Sequence, residues 1–293
     1  VLRSVAGQLE PALVKISFIF ILVGLGTKAG LAPMHTWLPD AHSQAPTPIS
    51  ALLSAVLLNC AMYGVLRVHI LASEAVPGFS SSLLLFFGLL SLAIATAFIL
   101  TSRDLKRFLA FSSVEHMGII ALGFGIGGPL AVFGAVFHVI AHSLTKTLMF
   151  FGAGNIIQKY RTREMKDIKG LGRTMPATAS LVVLGGAAIA GSPPFAIFIG
   201  ELFIISGALV QGDYLVAGIF IALIVMIFAG MTYRVFGMVS GRPQEGVPDG
   251  EIGKLRLLPM IVLASAILAL GLFLPDVMSD ALGAVVKLFG VSL

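Results

Sequence analysis

His138, His142 and Lys146 recur every fourth residue in the otherwise apolar stretch FHVIAHSLTKTLMFF. That spacing keeps three proton-binding side chains on one slowly turning helix face, with about 6 Å of rise between neighbours. Two unit charges at that separation repel by roughly 3 kcal/mol at an effective dielectric near 20. A proton arriving on one group therefore weakens the hold of the next, and such a row can pass protons along. The competing reading is a set of buried polar groups hydrogen-bonded to neighbouring helices. A His-x-x-x-His metal site is disfavoured, because no companion carboxylate sits at metalloprotease spacing, and no metal is expected.

Other ionisable groups sit in similar surroundings. Lys28 lies five residues before Pro33, and Glu201 follows the prolines of SPPFAIFIGE. Burial disfavours whichever form of a group is charged, so both can store and release a proton. A snorkelling lysine and a glutamate at an exposed helix end are the plainer alternatives. Glu115 and His116 lie roughly 10 Å inside the expected start of their span by helix rise; they read as a proton intake or as a structural pair. His35, Asp40 and His42 occupy the polar turn PMHTWLPDAHSQAPTP, which is a proton entrance, a partner-packing surface or a capped loop. A charge at bilayer depth costs roughly 2.5–3.5 kcal/mol on insertion scales. Several such groups in one chain imply a hydrated path and the movement of protons or ions.

The elements that must hold these groups follow from composition. The chain has 293 residues, 57% of them hydrophobic and 11% charged, with a mean hydropathy of +1.01. A soluble domain carries about 25% charged residues, so the expected solvent is lipid. The fold class is all-α, a polytopic transmembrane helix bundle. Eight spans are expected near 13–32, 46–71, 79–101, 108–126, 129–157, 176–210, 214–238 and 257–275, each long enough to cross a hydrocarbon core. Gly191-Ser192-Pro193-Pro194 interrupts the sixth and Gly30-Leu31-Ala32-Pro33 disturbs the first. Broken helices at membrane depth survive inside protein or beside a watery cavity, and two in one bundle point to a transport site. Residues 1–275 form the expected transmembrane domain, and 276–293 an interfacial tail on the outer face.

Lys and Arg gather after the third, fifth and seventh spans, as Arg103, Lys106 and Arg107, then Lys159 to Arg173, then Arg242, Lys254 and Arg256. The positive-inside rule makes that side cytoplasmic. The net charge of +5 is thereby explained by topology, and no nucleic acid partner is expected. Cys60 is the single cysteine, which excludes disulfides, iron–sulfur clusters and multi-thiolate zinc sites within the chain; no cofactor is expected. Gly123, Gly125 and Gly128 fit G-x-G-x-x-G. No strand precedes them, so nucleotide binding is not implied, and they are expected to end a helix tightly.

The strings GTKAGLAPMHTWLPDAHSQAPTPISALLSAVLLN, DLKRFLAFSSVEHMGIIALGFG, HVIAHSLTKTLMFFGAGNI and SPPFAIFIGE resemble the antiporter-like subunits. That family includes the proton-pumping membrane subunits of respiratory complex I, the Mrp sodium/proton antiporters and membrane-bound hydrogenases. SSVEHMG and HSLTKTLMFFGAGNI look closest to the hydrogenase-4 component F branch. The resemblance implies a 14-helix fold with two inverted five-helix repeats, each holding a broken helix, of which this chain would supply the last eight helices. Lys28 matches the family's lysine at the first break. His138, His142 and Lys146 match its central relay, and Glu201 the ionisable residue at the second break. Two departures stand out. Asn59 replaces a second lysine of many members, and the glutamate partner of the first lysine would lie upstream of Val1, so a fragment of a longer subunit is expected.

The function expected is proton translocation in a redox-driven complex of hydrogenase-4 or NADH:quinone oxidoreductase type, in the plasma membrane of a prokaryote. Its partners would be other membrane subunits and a peripheral hydrogenase or dehydrogenase arm. A sodium/proton antiporter subunit and a non-conducting membrane scaffold are the alternatives.

Overall fold

The computed structural model describes residues 3–243 and 245–290, and every named element among them is helical. The long helices are α1 (Pro11–Ala29), α4 (Leu58–Ala75), α5 (Phe79–Thr101), α6 (Leu105–Ile126), α7 (Gly128–Tyr160) and α11 (Tyr214–Val239). Shorter ones are α2 (Trp37–Gln44), α3 (Thr47–Leu52), α8 (Leu171–Thr174), α9 (Pro176–Ile189), α10 (Ala196–Gln211), α12 (Leu257–Leu272) and α13 (Asp276–Leu288). A π-turn, Leu53–Leu57, joins α3 to α4 in one span. Among the described residues, seven segments are long and apolar enough to cross a bilayer. The pair α9 and α10, each too short alone, makes the eighth crossing in two halves. The outer faces of α1, α11 and α12 carry large exposed apolar side chains such as Phe20, Val225, Tyr233 and Leu258, as lipid-facing helices do.

Both helix breaks fall where the glycine and proline signals place them. α1 stops at Ala29 because Gly30 takes the left-handed conformation, φ 79°, and Leu31 N–H closes back onto the Gly26 carbonyl at 2.9 Å. That is a glycine helix stop, and a side chain at Gly30 would overlap Leu38. α9 stops at Ile189, and Gly191, φ 72°, turns the chain toward α10. Each break contains a cis X-Pro bond, Ala32–Pro33 and Pro193–Pro194.

α6 is the axis of the bundle. Every residue in it except Arg107 is buried, and a helix apolar nearly all round belongs in a core. Asp104 caps its start, accepting from Arg107 N–H at 2.9 Å. Small residues bring α5 close: a Cβ added at Gly88 would lie 2.8 Å from the Leu122 nitrogen. Gly123 and Gly125 correct the expectation that they end a helix. Both sit inside α6, against Ala135 and Leu85, and the stop belongs to Gly127 and Gly128 at φ 70°.

The three basic loops meet at one end of the bundle. Leu105 N–H donates to the Arg163 carbonyl at 2.8 Å and Met165 N–H to the Arg103 carbonyl at 2.9 Å. Gly170 N–H reaches the Ser240 carbonyl at 3.0 Å, and Lys159 Nζ the Gly250 carbonyl at 2.6 Å. At the other end, α13 lays Leu282 and Val286 into the core. Phe289, just past α13, stacks on Phe124 of the last turn of α6 at 5.0 Å.

Candidate functional site

α7 runs 33 residues, about 50 Å at the helical rise and so longer than a hydrocarbon core. His138, His142 and Lys146 lie in its middle, all with no exposed surface. The facing helix, α6, inserts His116 between them. Its ring centroid is 5.1 Å from that of His138 and 5.2 Å from that of His142. His116 Nδ1 and His138 Nε2 share a hydrogen bond of 3.0 Å. The row therefore climbs two helices, and His116 is a rung in it.

This placement alters the reading of Glu115 and His116 as an intake. α6 begins at Leu105, three residues earlier than expected, so Glu115 is about 15 Å inside by helix rise. Glu115 is buried, with Oε2 lacking a protein partner.

Lys146 occupies the end of the row nearer the basic loops. Its Nζ donates to the Leu109 carbonyl at 2.8 Å and to Ser112 Oγ. Neither acceptor is a carboxylate, so nothing in direct contact neutralises a full positive charge. One turn further along α7, Phe150 stacks on His42 with centroids 5.2 Å apart and planes 16° from parallel. His42 is fully buried, and neither of its ring nitrogens has a protein partner. Its backbone carbonyl accepts from Ser50 Oγ at 2.9 Å. The polar turn thus brings a histidine beside the lysine, whereas Asp40 stays outside, paired with Arg107 at 3.0 Å.

The opposite end of the row meets the second break. Glu201, in the first turns of α10, is buried, and its carboxylate lies against Gly191, where a Cβ would overlap it. One oxygen of Glu201 and one ring nitrogen each of His116 and His138 lie within 4.8 Å of one another. α10 comes this near because Gly134 and Gly200 face each other: a Cβ on Gly134 would sit 2.7 Å from the Gly200 carbonyl. α12 supports the break from behind, and a Cβ on Gly271 would collide with the Pro194 carbonyl. Gly271→Ala is expected to push the break off α12 and destabilise the protein by about 1–3 kcal/mol, as overpacked cores are. A thermal midpoint in detergent equal to that of the parent protein would contradict this seating.

Lys28 does not join the cluster. It is exposed on α1, whose buried face is Phe18, Leu22, Gly26 and Ala29. Lys28 stands two positions past Gly26, turned away from α4. The first break is tied in by other groups: Ala32 N–H donates to Ser91 Oγ at 2.9 Å, and Trp37 Nε1 to the Thr27 carbonyl at 2.7 Å. Asn59, which stands where a lysine was expected, donates to Ser143 Oγ at 2.7 Å and to the Ala55 carbonyl at 2.9 Å. Ser143 donates to the same carbonyl at 2.8 Å, so the π-turn is fastened to α7 beside His142. α2 is held from the basic end, where Lys106 Nζ donates to the Ala45 carbonyl at 2.6 Å and Arg163 to that of Ser43. Cations at a helix C-terminus are favourable for its dipole.

Ser112, Ser143 and Ser54 are the polar neighbours that sequence reasoning left unassigned, and the place of His42 beside Lys146 is what its reading as part of a polar turn left open. Ser54 and Ser113 share a hydrogen bond of 2.8 Å between the π-turn and α6. Each of these contacts except the local ones of His42 joins residues far apart in the chain, so no local spacing could reveal it.

Residues 5–228 match the family described as NADH:quinone oxidoreductase/Mrp antiporter, transmembrane. A hydrogenase-4 component F homolog of Methylacidiphilum infernorum is 42% identical over 277 residues, covering 94% of this chain and 57% of that protein. NADH-quinone oxidoreductase subunit N of Desulforudis audaxviator is 32% identical over 293 residues, covering 94% and 58%. The chain thus spans little more than half the length of these curated relatives. Among solved structures, a chain of the membrane-bound sulfane sulfur reductase, an archaeal respiratory membrane complex, superposes with a TM-score of 0.89 at 26% identity, covering 99% of this chain and 60% of that one.

Proposed function

Because the chain belongs to the NADH:quinone oxidoreductase/Mrp antiporter transmembrane family, we propose that it moves protons across a membrane as part of a redox-driven complex. The observation that carries this reading is the 3.0 Å hydrogen bond between His116 and His138, two buried rings on different helices. With the His116–His142 ring contact at 5.2 Å and a Glu201 oxygen within 4.8 Å of a nitrogen on each of the His116 and His138 rings, it supports a row from Lys146 through His142, His116 and His138 to Glu201. A proton taken up by Lys146 raises the cost of holding one on His142, and the repulsion passes along the row. Among the described residues the chain offers one thiol, Cys60, so electrons would travel in other subunits.

The relatives named for hydrogenase-4 and NADH:quinone oxidoreductase support partnership with other membrane subunits and with a peripheral hydrogenase or dehydrogenase arm. The gathering of the basic loops at one end supports a cytoplasmic location for that end, in a prokaryotic plasma membrane. A bracing scaffold would pair its buried polar groups. His42 and His142 leave both ring nitrogens without protein partners, which favours conduction over bracing.

The test uses the assembled complex in inverted vesicles with a pH-sensitive dye. Electron flow is expected to drive proton uptake that an uncoupler collapses and that persists when sodium is replaced by choline. Proton movement driven by a sodium gradient without electron flow would instead make the chain an exchanger. Electron flow without any proton gradient would refute translocation.

A further inference from the structure

We propose that His116, His138 and Glu201 form a binding site for a divalent cation of borderline softness, of which zinc and cobalt are the type. As proton carriers these groups act one at a time; only a cation needs all of them at once. They come from α6, α7 and α10, are all buried, and bring two imidazole nitrogens and a carboxylate oxygen within 4.8 Å of one another. Two nitrogens and one oxygen suit zinc and cobalt rather than magnesium or calcium, which prefer oxygen alone. With both rings neutral and Glu201 ionised, the cage carries one negative charge toward the metal. The amine of Lys146 belongs to a residue eight positions along α7 from His138, about 12 Å by helix rise.

The spacing is close to what coordination needs. Metal bonds of 2.0–2.1 Å in a tetrahedron put neighbouring ligands about 3.3 Å apart, and His116 Nδ1 and His138 Nε2 already stand at 3.0 Å. Binding replaces their shared hydrogen bond, and the displaced proton moves to the other nitrogen of its own ring. Those nitrogens, His116 Nε2 and His138 Nδ1, have no hydrogen-bond partner among the described residues. Glu201 supplies the third ligand, one of its oxygens lying within 4.8 Å of a nitrogen on each ring. The sequence hides this site because its carboxylate lies 63 positions beyond His138 and its other histidine lies on another helix.

Binding is independent of the transport reading; a second consequence rests on that reading, that the bound cation takes the place of the travelling proton and stops the row. The test adds cobalt to the complete polypeptide in detergent micelles and follows visible absorption. Intense bands of tetrahedral cobalt are expected, reversed by zinc. His138→Gln and Glu201→Gln are each expected to weaken binding at least about tenfold, the scale on which even outer partners of a metal matter. His42→Gln, outside the cage, is expected to leave it unchanged. Absence of the bands, or bands equally strong in both folded ligand variants, overturns the site. X-ray absorption of the zinc form decides the matter if a variant fails to fold: two imidazole nitrogens support the site, and an imidazole-free shell overturns it. Zinc that binds here without slowing proton uptake in vesicles would overturn the blocking consequence and count against the row itself.

Discussion

Lys146→Arg is expected to abolish proton uptake by the assembled complex, at least about tenfold, while leaving electron flow measurable. Arginine keeps the positive charge but does not give up its proton in a protein, so it separates storing a charge from passing one on. Lys146→Met is expected to fail equally, for the opposite reason: it packs in a similar volume but binds no proton. The surroundings allow the experiment to be clean. Lys146 is held by the Leu109 carbonyl and Ser112 Oγ, with no acidic partner in contact to be stranded. Losing those two bonds leaves buried acceptors at a cost of about 1–3 kcal/mol, which a core of this extent tolerates. Ser112→Ala serves as the companion, since it removes one holder and retains the amine; a modest slowing is expected. Dye-monitored uptake in vesicles, normalised to electron flux, checks the series. Normal pumping by the arginine variant would end the relay reading.

The row on α7 was legible because its period is local. Residues four apart share a helix face whatever surrounds them, and glycine and proline mark helix breaks in any context. What the sequence concealed was set by packing between distant segments. His116 read as an intake or as half of a structural pair because its depth was counted along one helix; its neighbours on α7 are visible only once α6 and α7 are docked. Ser112 lies 34 positions from the lysine it holds. Lys28 was expected inside on the strength of its apolar surroundings, and its exposure follows from which face of α1 meets α4. Gly123 and Gly125 imitated a phosphate-binding loop, yet their use is close helix contact, which leaves no spacing rule to read. Asn59 was a departure without a visible role, and the structure gives it one in fastening the π-turn to α7 through Ser143.

Gly134→Ala is expected to damage both stability and proton uptake without touching an ionisable group. A Cβ there would stand 2.7 Å from the Gly200 carbonyl, 2.8 Å from Phe203 Cβ and 3.0 Å from the Ile204 nitrogen. Two of those three atoms are backbone and cannot swing aside, so α10 must move outward as a body. Overpacking of this kind costs about 1–3 kcal/mol, and here the displacement falls where Glu201 faces His138. The expected result is a lower thermal midpoint together with a disproportionate loss of proton uptake, because the Glu201 oxygen stands within 4.8 Å of a nitrogen on each of the His116 and His138 rings and a wider gap takes it further from hydrogen-bond reach. Gly200→Ala is the finer probe: its Cβ would lie 3.0 Å from His138 Nδ1, 3.1 Å from His138 Cβ and 3.3 Å from the Gly134 carbonyl, so the neighbours must give by a few tenths of an ångström and the strain falls on His138. Uptake should fall with little change in midpoint. Gly24→Ala, where nothing lies within 4 Å, should leave both unchanged. Full pumping by Gly134→Ala at an unaltered midpoint would mean that the closeness of α7 and α10 matters neither to the fold nor to the passage of protons into Glu201.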